Sequence, residues 1–164
     1  MKKLLVVLVL FLSIFSLTGC KNDSETKEET SNNNFITVES NEEGKIIINT
    51  EDITSDVTFV NYEVDDVVIQ FIVVRGTDEK VRIAFNTCQA CNPSPNAYFI
   101  QVGEYLQCQN CGNKFHIDKI GIEKGGCNPA PVEEKEEKDD AIIIDQDYVD
   151  SYKTKFENWN GTIK

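Results

Sequence analysis

Positive charge is scarce in this chain of 164 residues, with 16 lysines and arginines against 28 acidic residues and a net charge of −12. A surface that binds nucleic acid needs Lys and Arg to displace the counterions of the phosphates, so nucleic acid is excluded as a partner. Histidine is nearly absent too, since His116 is the only one. Any metal shell must therefore come mainly from other side chains. No internal repeat is visible, and residues 21–34, "KNDSETKEETSNNN", contain no apolar side chain. Such a stretch cannot bury itself and reads as a disordered tether.

Long hydrophobic runs are also missing. The single long apolar run, Leu4 to Leu17, falls short of the roughly 20 residues that cross a bilayer core. Lys2 and Lys3 precede it and Leu17-Thr18-Gly19-Cys20 closes it, which gives the basic, apolar and small-residue regions of an export signal. The ending resembles the lipobox of bacterial lipoproteins. That likeness implies cleavage before Cys20, lipid on the Cys20 sulfur, and a protein anchored by lipid to the cell membrane on its extracytoplasmic face. One acyl chain anchors only marginally and two or more hold stably. Residues 1–19 are thus expected to be the signal, 20–34 the lipidated cysteine and tether, and 35–164 one domain. Losing Lys2 and Lys3 would take the net charge to −14. About 130 residues suit a single domain with a modest core.

The domain reads as mainly β, an α+β chain with a small β-rich body. Lys45 to Ile48 is a short apolar run, and Val57 to Val64 alternates with Val60, Tyr62 and Val64 on one face. Val67 to Val74 is apolar on both faces except at Gln70, the pattern of a central covered strand. Asp65-Asp66 between the last two predicts a tight turn. Val81 to Phe85 alternates and delivers the chain to Cys88. Ala97 to Val102 and Tyr105 to Gln107 flank a Gly103-Glu104 turn and predict a second hairpin. Pro129 to Asp140 reads as an exposed loop, and Ala141 to Ile144 as a last strand. Tyr148, Val149, Tyr152, Phe156 and Trp159 recur at helical spacing and predict a C-terminal amphipathic helix from near Asp145, its stripe packed on the core.

Against these absences stand five cysteines within 40 residues: Cys88 and Cys91, Cys108 and Cys111, and Cys127. The first four form two C-x-x-C pairs on either side of the second hairpin. Each such turn aims two sulfurs at one point, and the hairpin brings the turns together, as in a zinc-ribbon-like insertion with four cysteine ligands. Soft thiolates accept zinc, a single iron, an iron–sulfur cluster or copper(I). Structural disulfides are the competing account, because exported proteins meet an oxidising environment. C-x-x-C bridges close very short loops, however, and an odd count leaves one thiol over. Cys127 sits in Gly125-Gly126-Cys127-Asn128-Pro129, a segment shaped to bring one side chain to a site; a small buried side chain is the alternative. His116 would point away from its inward neighbours Phe115 and Ile117.

"VRIAFNTCQAC" and "YLQCQNCGNKFHIDKIGIEKGGCNP" together resemble the FtrD-like family of membrane iron-sulfur containing proteins, over most of the domain from about Ile46. The resemblance implies a metal centre at Cys88, Cys91, Cys108 and Cys111, with Cys127 nearby, and association with a membrane iron permease of the Ftr type. Iron or an iron–sulfur cluster is the implied cofactor, with zinc the alternative. The chain has no Arg-Arg pair before the apolar run, so export is expected in the unfolded state, before any metal is bound. The expected function is an accessory to iron transport, by electron transfer or ion delivery, rather than an enzyme. A structural zinc-ribbon module is the second reading. A thiol-disulfide oxidoreductase is the third, disfavoured because neither C-x-x-C pair opens a recognisable helix after a strand.

Overall fold

A computed structural model describes residues 34–162. The signal region, Cys20 and nearly all of the tether lie outside the described residues. Among those described, no helix is long and apolar enough to cross a membrane.

The body is built on a five-stranded sheet. Its strands are β1 (Asn34–Val38), β3 (Thr58–Val64), β4 (Val67–Arg75), β5 (Val81–Cys88) and β9 (Pro129–Pro131), in the order β1-β3-β4-β5-β9. β4 is the middle strand, as its two apolar faces require. β1 runs parallel to β3 and the other pairs are antiparallel. The β3–β4 hairpin turns at Asp65 and Asp66, both at positive φ (48° and 63°). That is the primed turn which matches strand twist, and Asp tolerates it better than most residues.

Each face of this sheet carries its own core. On one face Ile69, Phe71, Val73, Ile83 and Phe85 meet Ile46, Ile48, Ile142 and Ile144. The latter belong to a three-stranded sheet ordered β10-β11-β2, made of β2 (Lys45–Asn49), β10 (Glu136–Lys138) and β11 (Ala141–Asp145). On the other face Phe59, Ile72, Val74 and Ala84 pack on Phe99, Leu106, Ile117 and Ile120. Those come from or follow the third sheet, β6 (Phe99–Val102), β7 (Tyr105–Cys108) and β8 (Lys114–His116). Cys88 and Cys108 are buried members of this second core.

Two segments differ from their sequence reading. Pro129 to Asp140 is not a continuous exposed loop: Pro129–Pro131 is a buried strand paired with β5, and Glu136–Lys138 pairs with β11. The prolines are accommodated because β9 is an edge strand, where a missing N–H leaves no ladder bond unmade. At the C terminus, α1 (Gln146–Asp150) is only five residues long and is followed by a single 3₁₀ turn at Lys153–Lys155. The aromatic stripe still packs on the core. Phe85 stacks on Tyr152 with ring centroids 4.0 Å apart, and Val149 and Phe156 are buried.

Candidate metal centre

The two C-x-x-C turns are built alike. Cys88 is the last residue of β5 and Cys108 the last of β7, so the first cysteine of each pair is fixed by a strand end and buried. In each turn the residue after the second cysteine donates its backbone N–H to the carbonyl of the first: Asn92 to Cys88 at 3.0 Å, Gly112 to Cys108 at 2.8 Å. Gly112 adopts φ +76°, which a side chain would resist. The turns are joined by Ser94, whose hydroxyl donates to Asn110 Oδ1 at 2.6 Å. Cys88 N–H also donates to the Ala97 carbonyl at 2.8 Å, anchoring the approach to β6 beside the first turn.

Cys127 arrives from a third direction. Its loop is bonded onto the first turn: Gln89 N–H donates to the Asn128 carbonyl at 3.0 Å, Gln89 Nε2 to the Pro129 carbonyl at 3.1 Å, and Gly125 N–H to Gln89 Oε1 at 3.0 Å. Asn128 Nδ2 closes the loop on the Gly125 carbonyl at 2.7 Å. Gln89 thus positions Cys127, a role the sequence reading missed. Its one signal was its place inside the first C-x-x-C.

All five sulfurs meet at one end of the second core. Cys91 Sγ lies 3.9 Å from Cys108 Sγ and 3.6 Å from Cys127 Sγ, and Cys111 Sγ is 3.2 Å from Cys127 Sγ. All five are free thiols. They fall into two groups, Cys88, Cys91 and Cys108, and Cys91, Cys111 and Cys127, with the sulfurs of each within 4.8 Å of one another. Cys91 belongs to both. The four cysteines of the two C-x-x-C turns do not form one such group by themselves.

Burial grades across the cluster. Cys88 and Cys108 are inaccessible, Cys91 and Cys127 half-buried, and Cys111 exposed. Burial pushes the Cys88 thiol well above the ordinary cysteine range and raises that of Cys108. The backbone N–H of Asn113, helped by the neighbouring Cys127 thiol, pulls Cys111 down to about 7. Its partner Cys127 is pushed up to about 11, by the Cys111 sulfur first and by burial second. The pair shares a proton that Cys127 keeps.

Does this donor set suit a metal? Zinc holds sulfur at about 2.3 Å, and a tetrahedral ion with such bonds spaces its ligands about 3.8 Å apart. The separations of 3.6 and 3.9 Å about Cys91 match that spacing, whereas a disulfide needs about 2.05 Å. An all-sulfur set is soft and selects the thiophilic metals. The residues fit. His116 belongs to neither group; its Nδ1 accepts the Asp118 N–H at 3.2 Å and its ring meets Tyr105 edge-on. Neither C-x-x-C pair opens an α-helix, because α1 is the one α-helix among the described residues.

Fold and cluster therefore define a small β protein with a group of cysteines that could hold a metal ion. A family model described as membrane iron-sulfur containing protein, FtrD-like, matches residues 53–156, which span all five cysteines, and the chain belongs to that family. No curated protein and no solved structure matches it.

Proposed function

We propose that the protein is held by a lipid on Cys20 to the extracytoplasmic face of the membrane and assists iron transport through its cysteine cluster. Cys88, Cys91, Cys108, Cys111 and Cys127 would together hold iron, alone or in an iron–sulfur centre. Iron held by thiolates supplies one-electron chemistry. The chain's own residues set its terms. Buried Cys88 and Cys108 hold one side in a low-dielectric wall, and exposed Cys111 leaves the other side open to an incoming ion or redox partner. A membrane iron permease of the Ftr type is the proposed partner.

The gradient of burial, from inaccessible Cys88 and Cys108 to exposed Cys111, carries this reading. Structural metal sites are closed, whereas working sites keep an open side. The test is anaerobic purification of the full chain in detergent, with iron, zinc and acid-labile sulfide measured beside the visible spectrum. Iron with sulfur-to-metal absorption is expected. Colourless protein holding one zinc would make the cluster a staple for the fold, and metal-free protein with two disulfides would end the metal reading.

A further inference from the structure

We infer that the cluster is a two-ion site in which the Cys91 sulfur is shared: an inner position of Cys88, Cys91 and Cys108, and an outer, exchangeable position of Cys91, Cys111 and Cys127. The assignment rests on the cluster binding metal, and deepens that reading by giving the two ions different work. The inner ion is resident. The outer one is the ion that comes and goes.

Three observations support the division. The sulfurs separate into two groups of three that have only Cys91 in common, and Cys91 is flanked at 3.9 Å by Cys108 of one and at 3.6 Å by Cys127 of the other. A thiolate keeps lone pairs to spare after one metal bond, so it can bridge two ions. The second observation is accessibility. The two sulfurs unique to the inner group are fully buried, and the two unique to the outer group are exposed and half-buried. Ligands that water reaches exchange their ion; ligands sealed in a core do not. The third is construction: Gln89 bonds the Cys127 loop at Gly125 and Pro129, so the outer group is a built arrangement and not a chance approach.

Charge favours the same count. Each ion requires its cysteines as thiolates, and their protons leave to water on binding. One divalent ion among five thiolates would leave three negative charges, partly buried, and a second would leave one. Backbone N–H groups and the other thiols are the chief electrostatic neighbours of Cys88, Cys108, Cys111 and Cys127, with no lysine or arginine among them. Uncompensated buried charge is costly, so the second ion stabilises the fully ionised cluster.

The experiment is anaerobic titration of the metal-free full chain in detergent with Co²⁺, followed by thiolate-to-cobalt absorption and then by challenge with a chelator. The wild type should take two equivalents, one lost rapidly to chelator and one retained. Cys111→Ser and Cys127→Ser, both at the accessible end, should each take one equivalent, and it should be the retained one. Cys88→Ser should lose the retained ion, with Trp159 fluorescence reporting that the chain is folded. A single equivalent in the wild type, or two equivalents in Cys127→Ser, would overturn the two-ion assignment while leaving metal binding intact. Complete loss of binding in Cys111→Ser would also overturn it, in favour of one ion held by the four cysteines of the two C-x-x-C turns. No uptake by the wild type would remove the metal reading itself.

Discussion

Trp159 donates its indole N–H to the backbone carbonyl of Asn86 at 2.9 Å, so an aromatic near the end of the chain is bonded to the strand that ends in Cys88. The same strand residue is tied on its other side. Asn86 Nδ2 donates to Gln70 Oε1 at 2.7 Å, and its Oδ1 accepts the Phe99 N–H at 2.7 Å. Asn86 therefore connects the central sheet, the hairpin between the cysteine turns and the C-terminal segment. Nearby, Asn92 Nδ2 reaches the Lys155 carbonyl at 2.7 Å, a second link from the first cysteine turn to the same segment.

Trp159→Phe keeps much of the apolar packing and removes the donor to a carbonyl on a residue that is 1% exposed. An unsatisfied buried acceptor costs about 1–3 kcal/mol. Urea denaturation should show a loss in that range. An unchanged midpoint would mean that the carbonyl finds another donor.

Gln89→Leu tests the positioning of Cys127. The substitution removes an acceptor for Gly125 N–H and a donor to the Pro129 carbonyl while retaining side-chain bulk. Global stability should fall by about 1–3 kcal/mol or less, since these groups are partly exposed. The larger effect is local: amide exchange at Gly125 should accelerate, and the Cys111–Cys127 contact should loosen so that the Cys127 thiol alkylates faster. Unaltered exchange at Gly125 would show that the loop holds its shape without Gln89.

Much of this architecture was legible in the residues. Val67 to Val74 carries apolar side chains on both faces and occupies the centre of the sheet, and the turn at Asp65-Asp66 lies where two acidic residues interrupt the β pattern. The two C-x-x-C turns were legible because their spacing is local. The failures have physical causes. Tyr148, Tyr152 and Phe156 keep helical spacing, but the segment around them, "QDYVDSYKTKFENWN", is poor in strong helix formers. Contacts to Asn86 and Asn92 satisfy its Trp159 ring N–H and its Lys155 backbone carbonyl by other means, so one short helix and a 3₁₀ turn suffice. Pro129 to Pro131 read as a loop because two prolines break a ladder anywhere except at a sheet edge, and which strand lies at an edge is a property of the whole fold. The grouping of the five sulfurs was illegible for a similar reason. It depends on where Gln89 bonds a loop that is 36 residues distant in sequence.

Gly121→Ala probes the approach to Cys127 from the other side. Gly121 sits at φ +71°, and a Cβ there would fall 2.5 Å from the carbonyl oxygen of Ile83, a backbone atom of a buried strand that cannot swing aside. Holding a non-glycine residue in the left-handed region costs of order 1–3 kcal/mol, and the clash adds to it. The variant should therefore unfold at lower urea, with a loss at least as large as that of Trp159→Phe. Wild-type stability would mean that the Ile120–Ile122 turn relaxes away from β5.

Thiol reactivity in the metal-free chain should be ordered by burial and follow pH in a defined sense. Cys111 is exposed and its thiol is pulled down to about 7, so its thiolate fraction, and with it the alkylation rate, should rise through neutrality; an ordinary cysteine does so only near pH 8.5. Cys127, pushed up to about 11, should stay a thiol across that range, and buried Cys88 and Cys108 should remain unlabelled until the chain opens. Brief iodoacetamide treatment of the reduced protein between pH 6 and 9, read by peptide mass spectrometry, should place the first adduct on Cys111 with a half-maximal rate near pH 7. Replacing Cys127 by Ser should move that midpoint upward, because the sulfur 3.2 Å away contributes to holding the Cys111 thiolate while the Asn113 N–H remains in place. Equal labelling of all five cysteines would show that the buried pair is not sealed in the second core. A Cys111 midpoint that does not respond to Cys127→Ser would assign its acidity to the Asn113 backbone alone.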